Sequence, residues 1–145
     1  SADNPTILWW AKSIGLKASY KADSVPWCGL TVAYWAAQAG WDHAPGGNAL
    51  WARNWLAWGN AAPVAMLGDV LVFARGSSGH VGLYVGEDRD AFHVMGGNQG
   101  DRVSIKRIAK SRLLGARRCP WRVNQPANVR RVILSAGGAL SANEA

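Results

Sequence analysis

The stretch LGDVLVFARGSSGHVGLYVGEDRDAFHVMGGNQGDRVSIKRI, residues 67–108, decides the fold. Its runs at 67–74, 80–86 and 91–96 are short, rich in β-branched and aromatic residues, and separated by glycine and charged turns. That pattern predicts consecutive antiparallel strands. RVSIKRI (102–108) alternates apolar and polar residues and predicts a fourth strand with one face in water. LLGARR (113–118) predicts a fifth.

Upstream of residue 67 the period is helical. WCGLTVAYWAAQA (27–39) is nearly all apolar or small and is stopped by Gly40, which predicts a buried helix with Cys28 in its first turn. Ile7, Leu8, Ala11 and Ile14 predict a shorter helix over 5–16, with Asn4 as cap and Pro5 in the first turn. A loop joins the two over 17–26, where Pro26 restricts Val25 to extended backbone. Asn48 predicts the cap of a third helix, in which Trp51, Trp55 and Trp58 follow at i, i+4 and i+7 before Gly59. Helices first and strands afterwards give an α+β class, N-terminal helices packed on a central antiparallel sheet of about five strands. Residues 1–123 form the expected domain, and 124–145 a C-terminal tail expected as a short helix or as disorder.

The chain has 145 residues, enough for one core and too few for two of ordinary size. With 49% hydrophobic residues, nine of them tryptophan, and only 17% charged, disorder is excluded. Sixteen basic against nine acidic residues leave a formal charge of +7, which favours polyanionic surroundings: nucleic acid, anionic lipid or a bacterial wall. No apolar run approaches the roughly 20 residues of a membrane helix, and the residues from Ser1 to Thr6 do not read as a signal peptide. Two cysteines, Cys28 and Cys119, allow one disulfide at most and leave a reactive thiol open.

Acyl transfer by a thiol needs a thiolate, a base within reach, and a group that orients the base. Cys28 opens a helix, where free backbone amides favour a thiolate and can take up an oxyanion. His80 follows the turn 75–79 and starts a strand, which puts an imidazole at the mouth of the sheet. His93 and Asn98, one strand further on, are both candidates to orient it, and spacing does not separate them. A lone cysteine in an apolar helix is more often a plain core residue. His43, in the loop WDHAPGG, has too few neighbouring ligands for zinc, and no metal is expected.

Six segments taken in order resemble the papain-like cell-wall hydrolases of the NlpC and CHAP superfamily: PWCGLTVAYWAAQAG (26–40), NALWARNWLAWG (48–59), LGDVLVF (67–73), GHVGLYVGED (79–88), VMGGNQGDRVSIKRI (94–108) and KSRLLGARR (110–118). The likeness is greatest to a phage and prophage subfamily with WC, GHVG and GGNQ motifs. It implies a papain-like fold, Cys28 as nucleophile and His80 as base. For the third role, CHAP-type members carry an acid and then an asparagine after the third strand; Asn98 aligns with that asparagine and Gly96 replaces the acid. NlpC-type members use a histidine near the position of His93. The resemblance favours Asn98, with His93 as the alternative. Cys119 lies beyond the matching segments and has no role in them.

The implied activity is peptidoglycan hydrolysis, by an endopeptidase or N-acetylmuramoyl-L-alanine amidase working through a cysteine thioester without a cofactor. Such an endolysin-like enzyme would be a monomer acting on the cell wall, held in the host cytoplasm before release, with electrostatic contact to the anionic envelope and no specific nucleic-acid partner. Trp27 is expected at the cleft edge and Trp51 and Trp55 in the core. Asp23 and Ser24 could contact a stem-peptide amine or simply cap the loop. The rival readings are a catalytically silent wall-binding or nucleic-acid-binding module and an interbacterial toxin directed at the wall.

Overall fold

The computed structural model describes residues 3–17, 19–22 and 26–144. Asp23, Ser24 and Val25 lie outside the described residues. Two helices, α1 (Pro5–Ser13) and α2 (Cys28–Gln38), precede a six-stranded antiparallel sheet. Its strands are β1 (Asn60–Ala61), β2 (Val70–Arg75), β3 (Ser78–Glu87), β4 (Ala91–Gly96), β5 (Ser104–Ala109) and β6 (Leu113–Arg118), in the order β1-β6-β2-β3-β4-β5. The α+β class holds, with one more strand than expected: the extra one is the two-residue β1 on the outer edge of β6.

The N-cap of α1 is Asn4, whose Oδ1 accepts from Thr6 N at 2.9 Å, and Pro5 fills the first turn, where a missing N–H costs nothing. In contrast, no side chain caps α2. Its face of Cys28, Val32, Ala33 and Ala36 packs on Val70, Val72 and Val81, so the start of the helix lies on β2 and β3. The close seat requires Gly29, since any Cβ there would run into the Ala49 carbonyl oxygen.

The third α-helix expected over 48–59 is instead a 3₁₀ segment, Ala52–Ala57. Side chains three apart eclipse in a 3₁₀ helix. Ala52, Trp55 and Trp58 are accordingly all buried, whereas Trp51 is 68% exposed. Both buried indoles donate to carbonyls, Trp55 Nε1 to Ala49 O at 2.9 Å and Trp58 Nε1 to Asp42 O at 2.7 Å.

The tail also differs from expectation: residues 124–144 contain no helix and are docked in extended form along the sheet. β3 runs past the end of β2, and the tail takes the vacated place, bridging Ile133 to Glu87 in parallel; a second bridge joins Leu140 to the edge strand β5 at Arg107. Covering strand edges removes open backbone donors and acceptors. Arg131 and Lys110 anchor Glu87 from both sides, and Arg112 pairs with the buried carboxylate of Glu144 near the end of the tail. No helix among the described residues is long and apolar enough to cross a membrane.

Candidate active site

Cys28 is the first residue of α2 and is 2% exposed. Burial pushes its thiol above the ordinary value. Three backbone N–H groups oppose that: one from Val81 on β3, and those of Gly29 and Cys28 itself in the uncapped first turn; the Arg75 charge helps them. The sulfur thus sits among donors that would stabilise either a thiolate or an oxyanion formed beside it.

Val81 is the residue after His80, so the β3 backbone that reaches the thiol is one residue from the imidazole. His80 is fully buried. Its Nε2 is 2.8 Å from Gln99 Oε1. Gln99 is also fully buried, and its amide nitrogen donates to Val94 O at 3.1 Å and to Ser104 O at 2.7 Å. With both amide hydrogens committed to carbonyls, only the oxygen can face His80. His80 Nε2 must therefore carry the proton, and Nδ1 is left as the basic nitrogen. That Nδ1 has no hydrogen-bond partner among the described residues, Cys28 Sγ included. Burial pulls the imidazole below its usual value, partly offset by Gln99 and by the nearby Glu144 carboxylate. Both shifts favour the uncharged forms, thiol and neutral imidazole.

The residue on His80 is therefore Gln99, neither Asn98 nor His93. Backbone geometry in the turn 96–99 accounts for the shift by one position. Gly96 borders Gln99 Oε1 and His80 Nε2, and a Cβ there would lie 2.7 Å from the former and 3.4 Å from the latter. A Cβ on Gly97 would collide with Thr31 Oγ1 and stand 2.8 Å from a ring carbon of Trp27. The turn thus packs directly on α2, one helical turn beyond Cys28. Asn98 then takes a left-handed backbone, φ 56°, which asparagine tolerates better than most residues. Each member of GGNQ has a separate reason, and the polar side chain delivered to His80 is the last. The side chain that meets His80 is thus one residue beyond Asn98. The cue in the sequence was a glutamine, able to donate twice and accept at once, immediately beyond a left-handed position.

His93 is committed elsewhere. It lies opposite Gly86 in the β3–β4 pairing, six residues along β3 from His80, roughly 20 Å at the usual rise per residue. Its Nε2 contacts Asp88 Oδ2 at 2.7 Å, and Asp88 also holds Arg107.

An open pocket of about 410 Å³ leads to Cys28 and is walled by Leu50, Trp51, Ala52, Arg53, Arg75 and the turn 77–79. The tryptophan at its wall is the exposed Trp51. Trp27, expected there, is 3% exposed and packs among Ile7, Ala11, Tyr20 and Leu30 behind Cys28, its ring 6.4 Å from that of Trp10. Cys119 lies in a separate apolar groove with Trp41 and Trp121 and is a free thiol, as is Cys28. His43 is half-buried, and among the described residues no group of three or more His, Cys, Asp or Glu could hold a metal. No protein-family model, no curated protein and no solved structure matches this chain.

Proposed function

We propose that the protein is a cysteine-dependent hydrolase of amide bonds in bacterial peptidoglycan, with Cys28 as nucleophile, His80 as acid and base, and Gln99 as the group that orients His80. The observation that carries this reading is the fixed tautomer of His80: a buried amide holds Nε2–H and leaves an unpartnered Nδ1 in the neighbourhood of a thiol surrounded by backbone donors. A merely structural histidine would be expected to satisfy both ring nitrogens.

In this mechanism Nδ1 takes the thiol proton as sulfur attacks the amide carbonyl, and the N–H groups at the start of α2 hold the oxyanion. The C–N bond then breaks as His80 returns the proton to the departing amine, leaving a thioester. Water attacks the thioester with His80 again as base; the C–S bond breaks and the acid and free thiol are released. Gln99 orients the imidazolium without a full charge, as an asparagine does in Cys-His-Asn hydrolases.

Peptidoglycan as substrate rests on the ordered resemblance of six segments to the NlpC and CHAP superfamily, and a papain-like fold, a monomeric lysin and action at the wall belong to the same proposal. The formal charge of +7 suits an anionic envelope. Purified peptidoglycan incubated with the protein should release new amino groups and no new reducing ends, and both Cys28→Ala and His80→Ala should abolish the release. Absence of release from walls of several chemotypes would refute the reading. Equal release by Cys28→Ala would refute the site.

A further inference from the structure

The half-buried arginines of the sheet are nearly all spoken for, as is the exposed Arg131 of the tail. Arg107 pairs with Asp88, Arg112 with Glu144, Arg118 with Asp69 and Arg131 with Glu87. Arg75 is the exception within the pocket at Cys28. It ends β2 and is half-buried, yet its guanidinium makes no hydrogen bond or ion pair among the described residues, and its Nη1 is shielded from solvent as well. A dry, unpaired donor on a charged group is costly, and an acceptor that reaches the guanidinium relieves that cost.

Among the described residues the pocket supplies no carboxylate for it. Its described lining contains two cations, Arg53 and Arg75, and no carboxylate. Arg53 is occupied: its Nε and Nη2 donate to Ser78 O at 3.0 and 2.8 Å, which braces the β2–β3 turn. Arg75 lines the same cavity as Cys28. A planar guanidinium fork is the group best matched to a carboxylate.

We infer that Arg75 is a carboxylate-recognition residue of this cleft, so that the amide presented to Cys28 is one flanked by a free carboxylate. In taking that carboxylate to be the substrate's, the inference rests on the hydrolase reading above. The carboxylate could be the terminal group of a peptide or a side-chain group beside the scissile bond; the chemistry of recognition is the same.

The test uses the thiol itself, which displaces iodide from an iodoacetyl carbon whether or not any wall is cleaved. Alkylation rates at Cys28 are compared for iodoacetate against iodoacetamide, and for the longer N-iodoacetylglycine against N-iodoacetylglycinamide, with peptide mapping to keep Cys119 apart. Any change in thiolate fraction affects both members of a pair alike, so the acid-to-amide ratio isolates carboxylate recognition. For at least one reagent length, Arg75→Gln should lower the ratio about 10- to 100-fold, the worth of one charge-assisted hydrogen bond. Arg75→Lys should lie between, and Arg89→Gln, a charge removed from an exposed site, should leave it unchanged.

Protection of wild-type Cys28 from iodoacetamide supplies a second measurement that needs no variant. N-acetylalanine and N-acetylglutamate α-amide, bearing a terminal and a side-chain carboxylate, should protect, and N-acetylalaninamide should not; the better protector names the source. Equal ratios in the wild type and Arg75→Gln, or equal protection by acids and amide, would overturn the inference. A flat ratio with wall hydrolysis intact removes Arg75 alone, whereas a carboxylate preference without hydrolysis removes the proposed reaction alone.

Discussion

Replacing Gln99 by alanine separates the geometry of this site from the choice favoured by sequence alone. Gln99→Ala deletes three buried hydrogen bonds, to His80 Nε2, Val94 O and Ser104 O. At roughly 1 kcal/mol net each, with partial relief from water entering the hole, the loss is about 2–4 kcal/mol. For a chain of this size that corresponds to a fall in Tm of about 5–15 °C. The activity loss should be larger in relative terms: without an acceptor at Nε2 the imidazole is free to adopt the other tautomer, and amine release per folded molecule should drop about 10²- to 10³-fold. Asn98→Ala is the control. It removes no side-chain hydrogen bond to His80, so its cost should be confined to the left-handed backbone position and leave turnover within about threefold of wild type. The assay is amine release from purified peptidoglycan below Tm, normalised to folded protein by near-ultraviolet circular dichroism. If Gln99→Ala retains wild-type turnover while Asn98→Ala abolishes it, the hydrogen-bond argument for Gln99 is wrong.

The pH profile follows from the resting state of the pair. Because His80 is held below 6.5 and Cys28 above 9.0, kcat/KM should rise with an apparent pKa below 6.5 and fall only with one above 9.0; strong thiolate absorbance at pH 7 would contradict a neutral pair. Gly97→Ala should cost about 2 kcal/mol or more, since the new methyl meets Thr31 and Trp27 at the α2 seat, and urea unfolding would measure it. Burial raises the pKa of Glu87, but Arg131, Lys110 and Tyr84 overcome it and hold the carboxyl at about 2. Its folded pKa is depressed, so its contribution, on the order of 3 kcal/mol, is complete above about pH 4.5 and disappears as pH falls through about 2. Acid titration followed by circular dichroism should place the acid-unfolding midpoint of Arg131→Gln at a higher pH than that of the wild type, because the folded pKa is less depressed and the contribution smaller. Trp51→Ala, at an exposed position, should leave Tm unchanged within about 2 °C and raise KM if the pocket at Cys28 receives the substrate.

The part of the molecule written in local periodicity is legible in the chain before it folds. The four main strand runs, the apolar helix at 28–38 and the position of Cys28 in its first turn are legible because period 2, period 3.6 and glycine stops act within a few residues. The placement of His80 at the start of a strand is legible for the same reason. Tertiary structure alone decided the rest. Gln99 reaches His80 because Gly96 leaves room beside the ring and Gly97 lets the turn settle on Thr31, and both contacts join residues far apart in the chain. Trp51 stands at the cleft because the segment after it winds as a 3₁₀ helix that buries Trp55 instead, whereas Trp27 is drawn inward by its packing on Ile7 and Ala11 of α1. The tail looked unstructured because its few apolar residues follow no period; its order comes from strand edges and buried ion pairs that only the folded sheet presents. Arg75 shows the same limit: its charge is evident in the sequence, but the absence of a partner becomes visible only once the other arginines have found theirs.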